Sequence, residues 1–197
     1  MDASNAGSAE SERPRLVPDE PFPPYSYVTG RFPHPIADPA GHSFGAAAVT
    51  CPTPDPDRWR DCRAYLFGLD LFNHGYYWEA HETWEAIWHA SGRTGPISDF
   101  IKGLIKLAAA GVKAREGRLE GVRTHGWRAA ELFQQIAAQL PPERSCYFGL
   151  SLSRLIALAT AIAGGSLVSR PTNATPVEIV FPFVLLPDEP LGDEPPI

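Results

Sequence analysis

Residues 73–88 read NHGYYWEAHETWEAIW, so that three glutamates, two histidines and five large aromatics share sixteen positions. The spacing predicts one helix over 76–90, closed by Ser91-Gly92. A helix this dense in Trp and Tyr belongs in a core, yet Glu79, His81, Glu82 and Glu85 would be buried or half-buried with it. Carboxylates removed from water must find a cation, a metal or a full set of hydrogen bonds. The segment is therefore either a site or a polar lock within a core.

Working outward, Trp59, Cys62, Tyr65, Leu66, Leu69 and Phe72 recur at three and four, predicting a helix from near Asp57 to a C-cap at Asn73-His74-Gly75. A third helix is expected over about 98–116, with Ser98 as its cap and Ile101, Leu104, Ile105, Ala108 and Val112 inward. Gly103, Ala110, Gly111 and Ala114 on it are small enough to admit a neighbouring helix. A fourth over about 120–140 buries Val122, His125, Ala129, Leu132, Phe133 and Ile136, and Pro141-Pro142 ends it. Ser151 or Ser153 opens a fifth, closed by Gly164-Gly165. Short connections between long amphipathic helices imply an all-α fold, an antiparallel bundle of about five helices.

Most of the 21 prolines lie at or before Pro56 or from Pro141 onward. Residues 1–14 read as a disordered tail, 15–56 as a Pro-rich arm pinned to the domain by its rings, 57–165 as the helical domain and 166–197 as an extended C-terminal segment. The run VEIVFPFVLL at 177–186 has strand composition, but Pro182 confines it to an edge or a docked extended stretch. A net charge of −6 with interspersed signs argues against a nucleic-acid surface. No apolar run approaches the roughly 20 residues of a membrane span, and no signal peptide is evident. Cys51, Cys62 and Cys146 form no CxxC pair and read as reduced thiols of a cytoplasmic protein.

On the second helix His81 and Glu85 stand at i,i+4, with Glu82 beside Glu85 at i,i+3. One imidazole and two carboxylates is a credible ligand set for zinc, manganese or iron. The pattern parallels H-E-x-x-H with Glu85 in place of the second histidine and Glu82 as the base candidate. Against this, Lys102, Lys106 and Lys113 form one stripe of the third helix and Arg128 stands on the fourth. A Glu–Lys/Arg–His network could satisfy every buried group without metal. Ferritin-like di-iron chemistry is rejected, because the chain has no Glu-x-x-His.

Phe72-Asn73-x-Gly75, Tyr77-x-Glu79-Ala80-His81-Glu82-x-x-Glu85-x-x-Trp88, Lys102-Gly103-Leu104-Ile105 and the Gly117, Gly121, Arg128-Ala129 run together resemble domain of unknown function family 309 over about residues 59–140. These are small all-helical proteins often labelled predicted metal-dependent hydrolases. One departure is Lys113, where members often carry a histidine. The resemblance implies hydrolysis with His81 and Glu85 as metal ligands, Glu82 as ligand or general base, and Lys102 or Lys106 stabilising developing negative charge. Asn73, Tyr77, Glu79, His42 and Arg128 are the remaining binding candidates. The residues themselves favour a helical binding or assembly module whose polar cluster fixes register; the hydrolase is the alternative. Partners expected are an unidentified small molecule and a second copy meeting aromatic helix faces such as Trp78 or Trp88.

Overall fold

The computed structural model describes residues 13–47 and 51–188. A 3-10 turn at Trp59–Asp61 leads into α1 (Arg63–Asn73), followed by α2 (Tyr77–Ala90), α3 (Gly95–Arg115) and α4 (Leu119–Gln139). A two-stranded antiparallel hairpin, β1 (Cys146–Tyr147) with β2 (Leu150–Ser151), precedes α5 (Leu152–Gly164). Each helix packs on its neighbour in sequence, so the described residues form an all-α bundle of five helices. No helix is long and apolar enough to cross a membrane among the described residues.

Close approach between helices follows from the small residues. A Cβ on Gly103 of α3 would stand 2.5 Å from the Phe133 ring of α4, and one on Gly111 2.4 Å from Tyr77 of α2. Both are distances that real Cβ atoms do not show, so these rings occupy the space the missing side chains leave. Tyr65, Leu69, Phe72, Trp84, Phe100, Leu104 and Phe133 form the centre of the core.

Two local expectations are corrected. The first helix does not run unbroken from Asp57; Cys62, at φ −92° and ψ 83°, separates the 3-10 turn from α1. Ser98 does not cap α3. That helix begins at Gly95 with Pro96 in its first turn, where a missing N–H costs nothing, and Ser98 lies fully buried three residues inside. Residues 177–186 take the second of the two forms that Pro182 allows, a docked extended stretch rather than an edge strand, with Val180, Phe181 and Leu185 buried. The hydrophobic composition of that segment serves packing on α1 and α2, where Phe181 stacks on Phe72 with centroids 5.7 Å apart. Ser151 does cap α5, accepting from the Arg154 amide.

Both extended segments are held by buried polar side chains of α1 and α2. Asp70 is fully buried and accepts from the backbone N–H groups of Leu16 (2.7 Å) and Val17 (2.8 Å) and from Arg15 Nε (3.1 Å). Asn73 pairs twice with the backbone of Leu185, donating from Nδ2 and accepting at Oδ1. The Tyr77 hydroxyl accepts from the amides of Val180 and Phe181. Rings complete the docking of the N-terminal arm: Phe22 lies on His74 and Tyr76, while Tyr27 and His34 flank Trp78.

Candidate functional site

Four ionisable residues of α2, Glu79, His81, Glu82 and Glu85, divide between two faces. Residues two apart on a helix are separated by about 200°, so Glu79 and His81 cannot serve one centre. Glu79 turns inward, where it accepts from Ser26 Oγ (3.1 Å) and the Tyr27 amide (2.8 Å) and stands 3.3 Å from His42 Nε2. It anchors the N-terminal arm. Asn73, Tyr77 and Glu79 are thus occupied by the chain's own backbone and side chains, with His42 brought to Glu79 rather than to the outer face.

His81, Glu82 and Glu85 share that outer face, with side chains 29%, 36% and 37% exposed. Their candidate ligand atoms lie within 4.8 Å of one another. His81 Nδ1 stands 3.3 Å from Glu82 Oε1 and 3.7 Å from Glu85 Oε2. It is shielded from solvent and makes no hydrogen bond among the described residues. A tetrahedral ion with bonds of about 2.0–2.2 Å holds its ligands about 3.3–3.6 Å apart, so the observed pair of distances needs little adjustment. The donor set, one borderline nitrogen and two hard oxygens, suits zinc, manganese or iron.

The lysines of α3 do not fill the space between these groups. Among the described residues no ion pair joins Lys102 or Lys106 to Glu82 or Glu85; Lys102 Nζ instead lies 5.7 Å from the Trp88 ring centroid. Lys106 is close enough to feel the cluster. Burial lowers its proton affinity, Lys102 and Arg128 lower it further, and Glu85 opposes them. His125 of α4 is half-buried, its proton affinity lowered by burial and then by Lys106, Lys113 and His81. Arg128 pairs with Glu131 on the outer side of α4, at 2.8 Å. His89 lies 3.9 Å from the far oxygen of Glu85, one turn beyond the cluster.

Two important residues were missed in the sequence. Asp70 had a signal, a carboxylate between Leu69 and Leu71 on an otherwise apolar helix. Arg115, 1% exposed at the end of α3, had none, because a basic residue in a last helical turn is ordinary.

Residues 65–124, which span α1 to the start of α4, match the family model described as "Domain of unknown function (DUF309)". No curated protein and no solved structure matches the chain.

Proposed function

We propose, for a chain that carries a DUF309 domain over residues 65–124, that it is a small helical binding module whose α2 face holds one divalent transition-metal ion on His81, Glu82 and Glu85. The observation that carries this reading is the position of His81 Nδ1, without a hydrogen-bond partner and facing two carboxylate oxygens at 3.3 and 3.7 Å. A cation between them relieves the repulsion of Glu82 and Glu85 and gives the imidazole nitrogen a partner at once. The half-exposed position favours a bound ion over a purely structural lock, since carboxylates at such positions stay in contact with solvent and, among the described residues, no lysine forms an ion pair with them. Elemental analysis of protein purified without affinity tag or chelator tests it: about one zinc, manganese or iron ion per chain is expected, and is lost in Glu85→Gln. Metal-free protein that also takes up none of the three on dialysis overturns the proposal.

Hydrolysis is the second reading, favoured by Lys106, whose ammonium lies within electrostatic reach of Glu85 and, with its proton affinity lowered by burial, gives up a proton more readily than a free lysine. A metal here would supply Lewis-acid activation of water. Lys106 would then hold an anionic or carbonyl oxygen of the substrate, and Lys102, beside Trp88, would add charge at the rim. Glu82 could take the proton released, provided His81 and Glu85 held the ion without it. Turnover of an ester, amide or phosphoester panel by metal-loaded protein, abolished in Lys106→Met with metal content unchanged, is the expected result; no turnover removes this reading and leaves the binding module.

Self-association, the remaining partner expectation, finds exposed apolar side chains on α4 and also at Ile36, Phe44 and Ile179. Trp78 lies against Tyr27 and His34 of the arm, whereas Leu119 and Trp127 of α4 are exposed.

A further inference from the structure

We infer that the cleft between the N-terminal arm, the end of α3 and residues 172–178 binds a small oxyanion, a phosphate or carboxylate group, through the guanidinium of Arg115. This site is separate from the α2 cluster and does not depend on it.

Arg115 is 1% exposed, and its Nη1 donates weakly to the Glu178 carbonyl oxygen at 3.5 Å. Its Nε and Nη2 are buried and have no hydrogen-bond partner among the described residues. These two nitrogens form one edge of the guanidinium, with two N–H bonds running parallel. That is the edge a carboxylate or phosphate grips with two oxygens. A buried guanidinium with an idle edge is costly, and an acceptor admitted to that edge by a small shift of the cleft wall would relieve the cost.

Glu178 does not fill it. Its Oε2 is 3.9 Å from Arg115 Nε, beyond hydrogen-bonding distance, and it is engaged elsewhere. Its Oε1 accepts from the amide and hydroxyl of Thr172 at 2.7 Å each, and its Oε2 from the Asn173 amide at 2.8 Å. Arg115 therefore stands beside a carboxylate satisfied without it.

The surroundings select an anion rather than a bridging water. The cleft, about 190 Å³, is lined by Arg31 and Arg118 as well as Arg115. Space of that size holds about six waters, enough for one phosphate or carboxylate group and a short body. Glu116, the acidic lining residue, already pairs with Lys113 at 2.7 Å and accepts from Thr29 at 3.0 Å. Arg31 crosses from the arm to donate to the Asn173 carbonyl oxygen, closing one side. Arg118 leans on Glu116 at 3.4 Å and leaves its charge at the rim. A water could accept a hydrogen bond from these two outer guanidinium groups, but an oxyanion is in addition attracted by the charge of both.

Calorimetric titration of the full chain with inorganic phosphate, and separately with acetate, at constant ionic strength tests this. Saturable single-site binding of at least one anion is expected. Arg118→Ala and Arg31→Ala, both at exposed positions, should each weaken it roughly tenfold, and Arg115→Gln should abolish it. Tighter binding of phosphate identifies a phosphoryl-bearing ligand, and tighter binding of acetate a carboxylate-bearing one. If Arg115→Gln fails to fold, the two rim variants decide. Heats no larger than those of a chloride control, or affinity unchanged in both rim variants, overturn the proposal.

Discussion

His42 Nε2 of the N-terminal arm stands 3.3 Å from Glu79 Oε1 of α2, with 8% and 5% of the two side chains exposed. The same carboxylate accepts from Ser26 Oγ and the Tyr27 amide, so one buried glutamate gathers three donors from a segment with no regular structure of its own. Glu79→Ala leaves those donors without their acceptor, and each buried donor so stranded costs about 1–3 kcal/mol. The urea midpoint should fall accordingly, and cleavage of the arm by trypsin at Arg31 should accelerate. A midpoint equal to wild type contradicts the anchoring role.

Asp70 does for residues 15–17 what Glu79 does for 26–42. Asp70→Asn removes the charge facing Arg15 and turns an amide N–H toward backbone donors. We expect a loss of about 3 kcal/mol, at the lower end of values for breaking a buried pair because Arg15 stays 22% exposed. Chemical denaturation measures it; a change within error would show that the arm does not depend on this carboxylate.

Gly68 lies under Trp84, and a Cβ there would stand 2.2 Å from the indole Nε1. Trp84 is fully buried and cannot swing away. Gly68→Ala should therefore push α1 from α2 and cost about 1–3 kcal/mol. Thermal unfolding followed by near-ultraviolet circular dichroism reads both the loss and the disturbed indole; unaltered signals would mean the helices give way freely.

The helices were legible because apolar residues repeat at helical spacing and Gly, Pro and Ser mark their ends. Docking of the two extended segments was not. Asp70, Asn73, Tyr77 and Glu79 recognise backbone N–H and C=O groups of those segments, and backbone groups carry no sequence signature. The polar cluster of α2 was legible as to place but not as to division. The helical angle between Glu79 and His81 was enough to separate them, and density of charge in the sequence obscured it. The hairpin before α5 was hidden because its turn places Phe148 at φ +53°, a conformation that a bulky residue rarely adopts. Within the turn the ring of Phe148 stacks on Phe100, with centroids 5.1 Å apart, and that packing sustains the conformation.

Alkaline pH tests the docking of the C-terminal segment. Burial pushes the Tyr77 hydroxyl up to about 12, and pushes Tyr65 well above its ordinary value. Because these groups hold their protons more tightly when folded, the stability they contribute is complete below the unfolded value of about 10 and declines as pH rises toward the folded values. The unfolding free energy should drop between about pH 10 and 12, with a shallower decline in Tyr77→Phe, which is itself less stable at neutral pH by about 1–3 kcal/mol through two stranded amides. A flat alkaline limb in wild type would contradict it.

Glu82→Gln separates a metal site from a polar lock. Glu82 is 36% exposed and, among the described residues, no lysine pairs with it, so the metal-free variant should unfold within about 1 kcal/mol of wild type. A polar lock built on a buried Glu82 charge would lose about 3–5 kcal/mol instead. Denaturant midpoints in the presence of a chelator distinguish the two.

The most direct measurement is a zinc titration against a competing chromophoric chelator, on wild-type protein and His81→Ala side by side. One zinc per chain in the wild type, with at least a hundredfold weaker binding in His81→Ala, is the result this account predicts, as expected when one of three ligands is removed. Equal affinity in the two proteins, or no zinc withdrawn from the chelator by either, would contradict it.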